Sequence, residues 1–411
     1  MVSNAWLRIL AKKNDFLIDR PDKHRKFHKD PTPLTGGIGI TFGIVFSGIF
    51  LFFLTGPQYV SEVSPNNFLG ADPEIRKDSK THEIKISDSD ELIIERIDDE
   101  SFSIALPDGS KNIYKFSGDN GSVISAKDST TDSLVISNFS FGVIFFAILL
   151  QILMIFDDLW GLKAVSRLAI QVFCVGGLIY FSGVYIQNLG NLFGFGDILL
   201  GSWGIPFTIF CIVGMINAFN MIDGLNGLCA SLCLVCFTGI IYMINADSVP
   251  SLFPLILPVG AIAGFLMYNL GILGNQRTVF LGDNGSNSLG FMCAWILVYF
   301  STSDGSNFAP VTALWFVAIP FIDAVGVMIS RALKGIMPLR PGRDHLHHKL
   351  LDFGLSSNTI YVILIGVSVL LASIGYIFNH SFPNTDYFSF YAFMIIWSCY
   401  YFLTRLIFKN V

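Results

Sequence analysis

"WGIPFTIFCIVGMINAFNMIDGLNGLCASLCLVCFTGIIYMI", residues 203–244, contains two apolar runs separated by a short polar interruption. The runs 203–219 and 225–244 are each long enough to cross about 30 Å of hydrocarbon as a helix. Between them, residues 217–227 ("NAFNMIDGLNG") place amides, glycines and the carboxylate of Asp223 where the chain reverses. This stretch predicts two membrane-spanning helices whose connection carries ionisable groups at the membrane boundary.

The same pattern recurs through most of the chain. The 411 residues are 52% hydrophobic and 14% charged, with a mean hydropathy of +0.59, which excludes an ordinary soluble protein. We predict an all-α polytopic membrane protein with about ten transmembrane helices and a small β-rich extracytoplasmic insertion. The ten predicted spans lie near 38–55, 138–156, 165–183, 203–219, 225–244, 251–273, 286–302, 309–330, 358–379 and 387–407.

The distribution of positive charge orients these spans. Of the 26 Lys and Arg residues, 18 lie in loops on one side of the ten-span arrangement, and the other eight lie in 56–137. Positive-inside reasoning places the 18-charge side in the cytoplasm, with both chain ends there and 56–137 outside. The first 37 residues do not resemble a signal peptide, because their apolar pieces are too short. We therefore divide the chain into 1–55, 56–137 and 138–411, of which the first and last form one membrane domain.

Residues 56–137 have the composition of a separate unit. They hold 16 of the 31 acidic residues against eight basic ones, and they contain no cysteine. Alternation in "THEIKIS", "ELIIERI", "SFSIALPDGS" and "NIYKFSGDNGS", punctuated by Asp-Gly and Asn-Gly, predicts short strands joined by hairpins. The alternative is a solvated acidic loop with some strand content.

All seven cysteines lie in predicted spans. Cys229, Cys233 and Cys236 have a helical spacing that could suggest a metal cluster. Because no His or acidic residue accompanies them in that span, we interpret them as small buried apolar residues and expect no disulfide.

Ionisable residues concentrate in five clusters on the predicted cytoplasmic side. Four carboxylates in these clusters stand at the membrane boundary, where a carboxylate is costly unless it is partnered or ligated. Together they can hold Mg²⁺, and nearby Arg, Lys and His can bind phosphate oxygens. This combination is suited to phosphoryl transfer, and the sequence has no P-loop or Rossmann fingerprint. The clusters are 18–37, 156–167, 217–227, 280–290 and 340–350, and the carboxylates are Asp157, Asp158, Asp223 and Asp283.

The motifs "RPDKHRKFH…PTPLTGG", "DD", "NMIDG", "GDNGS" and "HLHH" occur in that order. They resemble the motifs of the polyprenyl-phosphate N-acetylhexosamine-1-phosphate transferase superfamily (glycosyltransferase family 4). The similarity is closest to the bacterial enzymes that load GlcNAc-1-phosphate onto undecaprenyl phosphate, and it covers all but 56–137. It implies a multi-helix fold in the bacterial inner membrane, with a cleft that faces the cytoplasm and opens to the lipid.

The resemblance also implies an activity. A sugar 1-phosphate, most commonly GlcNAc-1-phosphate, would pass from a UDP-sugar to undecaprenyl phosphate with release of UMP. This reaction would initiate synthesis of a cell-surface glycan such as lipopolysaccharide or a cell-wall polymer. The expected partners are these two substrates and the bilayer, with a homodimer left open and no nucleic acid.

The resemblance further implies a role for each motif residue. Asp157 and Asp158 would lie near the lipid phosphate, one of them acting as base or nucleophile. Asp283 would bind Mg²⁺ or Mn²⁺, and Asp223 would share that ion and join the catalytic carboxylates. The residues expected to bind the substrates are Lys29 (with Lys26 as a competitor), Asn220, Arg343, His345, His347 and His348.

Other functions remain open at this stage. A proton-coupled transporter would also place carboxylates in a helix bundle, although several should then lie near the bilayer midplane. A non-catalytic sensor would use the outer segment to bind a ligand. The His-x-His-His motif could instead ligate Zn²⁺. Asp323, inside span 309–330, is either a buried polar residue of the bundle or a contributor to the cleft.

Two positions depart from the pattern of the relatives. Asn226 stands where many of them have Asp, which weakens any claim that position 226 binds a metal. The stretch "NAWLRILAKK" resembles only the inner end of a first helix that relatives carry in full. We expect either that the true start lies upstream or that a helix has been lost.

Overall fold

A computed structural model provides the architecture of the chain. It describes residues 1–20, 31–55, 81–87, 90–96, 101–105, 111–117, 122–125, 129–244, 253–302, 308–337, 342–382 and 385–408, with side chains described outside 49–141, 253 and 254. Lys29 and Lys26, which we expected to bind phosphate, lie outside the described residues. The chain divides into two compact units, the larger comprising Met1–Leu54, Ser140–Ala246 and Leu252–Val411 and the smaller Thr55–Phe139 with Asp247–Ser251.

The larger unit is built from helices. They are α1 (Val2–Asn14), α2 (Gly36–Thr55), α3 (Ser129–Trp160), α4 (Ala164–Ser182), α5 (Gly204–Ile222), α6 (Leu228–Met243), α7 (Phe253–Asn269), α8 (Gly282–Thr302), α9 (Pro310–Phe316), α10 (Ala318–Leu333), α11 (Leu346–Asp352), α12 (Ser357–Ser381) and α13 (Asp386–Ile407). A two-stranded antiparallel ladder, β1 (Ile18–Asp19) with β2 (Thr32–Pro33), precedes α2.

The apolar helices match the expectation of a multi-pass membrane protein. In the described part of the chain, five helices are long and apolar enough to cross a bilayer, and a sixth is added if one bent pair counts as a single span. Each of the ten stretches that we predicted as spans overlaps one described α-helix, except 309–330, which overlaps two. Several of these helices are shorter than a full crossing, so the count of ten is not established.

The predicted span 309–330 consists of two helices, α9 and α10, where we expected one. They are bent by 90° at a break centred on Val317. Pro320 supplies the physical reason, since it has no amide hydrogen and its ring clashes with the preceding turn inside a helix. The break places Pro320 in the first turn of α10, where a proline is tolerated. This pair therefore forms either a broken span or a re-entrant segment.

The smaller unit contains a five-stranded antiparallel sheet. Its strands pair in sequence order, as β3 (Thr81–Ser87), β4 (Asp90–Arg96), β5 (Ser101–Ala105), β6 (Lys111–Ser117) and β7 (Ser122–Ser125). The first four fall on the stretches where alternation predicted strands. The location of this unit outside the cell stays a prediction.

Helix α8 is the most buried element of the larger unit, with nearly every residue from Asn284 to Val298 inaccessible. Gly290 allows α5 to cross it closely, because a Cβ there would lie 3.0 Å from the Cα of Ile216. All seven cysteines carry free thiols. Cys229, Cys233 and Cys236 are fully buried on α6, as expected for apolar packing.

Candidate functional site at the ends of α3, α5 and α8

The start of α8 is held against the turn that precedes α2. The amide of Gly36 donates to the carbonyl of Phe280 at 2.9 Å, and the amide of Phe280 donates to the carbonyl of Pro33 at 2.8 Å. A Cβ on Gly37 would overlap Gly285, so only glycine permits this approach. The first and fourth polar clusters, which lie about 250 residues apart in sequence, are thereby brought together.

Asp158, near the end of α3, caps the N-terminus of α8. Its Oδ1 accepts the amide of Asp283 at 3.0 Å, and its Oδ2 accepts the amide and the side-chain Nδ2 of Asn284 at 3.2 and 2.6 Å. The first amides of a helix have no partner within the helix, and a carboxylate also suits the positive end of its dipole. Asp158 therefore fixes the place where Asp283 enters the site.

Asp157 is buried and bound to a cation. Its carboxylate accepts the amide of Leu162 at 2.7 Å and Nη1 of Arg167 at 3.3 Å. The same Nη1 lies 3.6 Å from Oδ2 of Asp283. Arg167, in the first turns of α4, thus bridges a carboxylate of α3 and one of α8. Its positive charge lowers the repulsion between them.

Asp223 joins the group from the end of α5. Burial, followed by the carboxylates of Asp283 and Asp158, raises the pKa of Asp223 to about 8. Burial and the carboxylates of Asp158 and Asp157 raise the pKa of Asp283 to about 6, against the opposing effect of Arg167. Carboxylates that disfavour one another's ionisation favour the binding of a cation.

The donor chemistry of Asp283 and Asp223 fits a hard divalent cation. Both supply carboxylate oxygens, and the side chain of Asp283 is 46% exposed. Among the described residues, no three His, Cys, Asp or Glu side chains converge into a complete metal site. Mg²⁺ is commonly held by one or two carboxylates together with substrate phosphates and water, so Asp283 and Asp223 would be its protein ligands.

Buried and part-buried amide side chains connect the helices that carry the carboxylates. Oδ1 of Asn220 accepts the hydroxyl of Ser286 at 2.7 Å, which ties α5 to α8. A second chain of hydrogen bonds runs from Asn217 through Gln171 to Asn287, with both distances 2.7 Å. Such fully paired networks rigidify the elements they join. Asn220, predicted to bind substrate, therefore has a bond that positions the α8 terminus.

The histidine motif contacts the same region at Gly224, the residue after Asp223. The ring of His347 is 1% exposed and packs so closely on Gly224 that a Cβ there would overlap its Nε2. Neither ring nitrogen of His347 has a hydrogen-bond partner in the described part of the protein. Burial, and then His348, lowers the pKa of His347 to about 3, so this ring is neutral. Burial also lowers the pKa of His348.

His345 and Arg343 occupy different surroundings. Nδ1 of His345 lies 2.8 Å from Oδ2 of Asp323, and both residues are buried. Arg343 is about half exposed and lies 3.4 Å from the carboxylate of Asp352. Arg343 is therefore accessible to solvent, whereas His345 is buried and held by Asp323.

The predicted site residues thus converge in part. Electrostatic contact groups Asp223 and Asp283 with Asp157 and Asp158, and His347 abuts the residue after Asp223. Asn226 is exposed at the adjacent loop.

The sequence reasoning did not assign Arg167 or Asp323. The signal for Arg167 was its presence in the polar cluster 156–167. For Asp323 the signal was a lone carboxylate in an apolar stretch.

Replacing Gly224 is expected to disturb the contact between the Asp223 loop and the histidine motif. In Gly224→Ala the added methyl group would displace the ring of His347, and overpacking of this kind costs about 1–3 kcal/mol. We expect the thermal stability of the protein in detergent to fall. Gly214→Ala on α5 is the matched control, because a Cβ there meets nothing within 4 Å. Equal behaviour of the two variants would show that the contact is unimportant.

Comparison with known proteins finds a family profile and several named proteins that are similar to this chain. Residues 140–301 match the profile described as glycosyl transferase family 4. Proteins named undecaprenyl-phosphate alpha-N-acetylglucosaminyl 1-phosphate transferase are similar. The one from Escherichia coli (strain K12) is 38% identical over 229 residues, 55% of this chain and 62% of that protein. The one from Haemophilus influenzae is 35% identical over 251 residues, 60% of this chain and 70% of that protein. The chain thus spans about three fifths of the length of the first relatives it matches.

Proposed function

The chain belongs to glycosyl transferase family 4, and from that membership we propose that it transfers a sugar 1-phosphate from a UDP-sugar to undecaprenyl phosphate. GlcNAc-1-phosphate is the group we propose, since the similar proteins are named for it. The observation that carries the proposal is the grouping of Asp157, Asp158, Asp223 and Asp283 at helix ends, with Arg167 between two of them. Carboxylates and a guanidinium at one point suit a reaction between two phosphate-bearing substrates.

The proposed step is a substitution at phosphorus. A phosphate oxygen of undecaprenyl phosphate attacks the sugar-linked phosphorus of the UDP-sugar and forms a new P–O bond. The bond from that phosphorus to the bridging oxygen breaks, and the electron pair leaves with UMP. The catalytic requirement is mostly positioning and neutralisation of charge.

The four carboxylates have different roles in the proposed reaction. The carboxylate of Asp158 accepts three hydrogen bonds from the start of α8, so it orients Asp283. Asp157, paired with Arg167, is better placed to accept a proton from the lipid phosphate or to orient it. Asp283 and Asp223 would hold Mg²⁺ or Mn²⁺, and that ion would neutralise charge on the phosphate oxygens.

The histidine motif would bind the donor pyrophosphate. Arg343 supplies a permanent, forked cation that is accessible to solvent. His347 is neutral and buried next to Asp223, and neither of its ring nitrogens has a hydrogen-bond partner among the described residues. Asn220, Lys29 and His348 complete the proposed substrate-binding set.

The membrane arrangement forms part of the proposal. The ten apolar stretches would cross the bacterial inner membrane, with the carboxylate cluster on the cytoplasmic face and the β-sheet unit outside. This places the cluster where UDP-sugars are present. A transporter is less well supported, because the described carboxylates of the site gather at helix ends.

Purified protein in detergent or nanodiscs tests the function directly. Undecaprenyl phosphate is supplied with each of a panel of UDP-sugars (UDP-GlcNAc, UDP-GalNAc and UDP-glucose), and UMP release is followed. We expect release with an N-acetylhexosamine donor that requires the lipid. UMP release that is independent of the lipid, or none with any donor, would contradict the proposal.

Arg343→Ala is expected to weaken use of the donor selectively. Loss of a charge-assisted bond to the pyrophosphate should cost about 1–3 kcal/mol in kcat/KM for the UDP-sugar, with little effect on KM for the lipid. Asp352→Asn is the control, because it removes the nearby carboxylate and leaves the arginine in place. Equal losses for both substrates would show that the arginine only anchors its loop.

A further inference from the structure

The segment that carries the histidine motif is attached to α10 at two points. Arg331 binds both carboxylate oxygens of Asp344, through Nε at 2.7 Å and Nη2 at 2.5 Å. Two turns earlier on α10, Asp323 accepts the amide of Leu346 at 2.9 Å through Oδ1 and faces Nδ1 of His345 through Oδ2 at 2.8 Å. The first contact holds the loop, and the second reaches a side chain of the motif.

The environment of Asp323 selects one form of the His345 ring. The carboxylate is 2% exposed, and Oδ1 also accepts the hydroxyl of Tyr400, from α13, at 3.0 Å. An ionised carboxylate only accepts hydrogen bonds, so Nδ1 of His345 must carry a hydrogen.

The fixed ring lies next to the proposed reaction centre. The rings of His345 and His347 are nearly parallel, with centroids 6.2 Å apart and planes inclined by 12°. His347 in turn packs on Gly224, the residue after Asp223. The ring of His347 therefore lies between His345, which Asp323 fixes, and the loop that carries Asp223.

We infer that Asp323 is a positioning residue, which holds His345 with Nδ1 protonated so that Nε2 is offered as an acceptor to a hydroxyl or amide hydrogen of the UDP-sugar. This inference rests on the proposed function for the identity of the ligand. Asp323 does not touch the substrate. It sets the orientation and protonation of a side chain that does, as carboxylates behind metal-bound or catalytic histidines commonly do.

Asp323→Asn is the decisive variant, because it keeps the shape of the side chain and reverses the direction of its hydrogen bond with Nδ1 of His345. The asparagine Oδ1 can still accept the amide of Leu346, while its amide nitrogen now donates to Nδ1 of His345. The hydrogen of the ring then moves to Nε2, and the stabilising negative charge is lost. Tyr400→Phe is the matched control, since it removes one donor to Asp323 and leaves the histidine contact intact.

Nitrogen-15 NMR of histidine-labelled protein measures the ring directly, with the signal assigned by its loss in His345→Gln. In the wild type we expect a protonated, hydrogen-bonded Nδ1. In Asp323→Asn we expect an unprotonated Nδ1 and a KM for the UDP-sugar raised about tenfold, with KM for the lipid nearly unchanged. Tyr400→Phe should match the wild type in both measurements.

Two results would overturn the inference. One is an unprotonated Nδ1 in the wild type, which can be observed even if Asp323→Asn does not fold. The other is a folded Asp323→Asn with wild-type donor KM or an unchanged ring. If the wild type showed the expected ring signal but no transfer activity with any UDP-sugar, the proposed function would fail while the contact itself stood.

Discussion

Asp283→Asn is expected to lower turnover by about 10²–10³-fold while the protein stays folded. Within the described part of the chain, the carboxylate of Asp283 makes only a long ion pair with Arg167, at 3.6 Å, so its charge contributes little to holding these helices together. The same charge is one of two proposed to hold the divalent ion. Removing it should leave the fold intact and impair the neutralisation of phosphate charge. The measurement is UMP release at saturating donor and lipid, across a titration of Mg²⁺.

The control for Asp283→Asn is Asp197→Asn. Asp197 accepts a hydrogen bond from Asn188, in the loop between α4 and α5, and is not among the four site carboxylates. It should retain full turnover with the wild-type dependence on Mg²⁺. Near-normal turnover in Asp283→Asn, or full turnover of the wild type in excess EDTA, would argue against the assignment of a metal to this residue.

Asp158→Ala is expected to remove activity and lower stability together. Three donors at the start of α8 would lose their acceptor, namely the amides of Asp283 and Asn284 and the side chain of Asn284. Leaving a partly buried donor unpaired costs about 1–3 kcal/mol, so the melting temperature in detergent should fall measurably. Turnover should fall because Asp283 is no longer held in place.

Asp158→Asn separates the two effects. Its Oδ1 can still accept an amide, so part of the cap survives, while the charge next to Asp283 is gone. We expect stability between that of the wild type and Asp158→Ala, with turnover still strongly reduced. An Asp158→Ala protein as stable as the wild type would show that the cap contributes little to the fold.

The helices were largely predictable because the length of each apolar run can be counted in the sequence. Described helices overlap all ten predicted stretches, with two of them at 309–330. The break within 309–330 was not predicted, since Pro320 is compatible with a broken helix as well as with a kinked one. Hydropathy alone does not distinguish these outcomes.

The carboxylates of the site were predictable from motif order, but their partners were not. Asp157 and Asp158 are adjacent in sequence yet serve different contacts, one with Arg167 and the other with the terminus of α8. Those contacts depend on how α3, α4 and α8 meet, which no local pattern encodes. Asp323 was left unassigned because its partner, His345, is 22 residues away across a bend.

In the proposed reaction the carboxylate cluster transfers a sugar-linked phosphate to a lipid, so the two phosphates of UDP-GlcNAc must end in different products. They can be followed separately with the purified protein, Mg²⁺ and undecaprenyl phosphate. We expect label in the sugar-linked phosphate to enter the lipid extract while label in the other phosphate is released as UMP, in equal amounts, and both signals to fall about 10²–10³-fold in Asp283→Asn. Sugar entering the lipid without its phosphate, with UDP released instead of UMP, would contradict the proposed reaction.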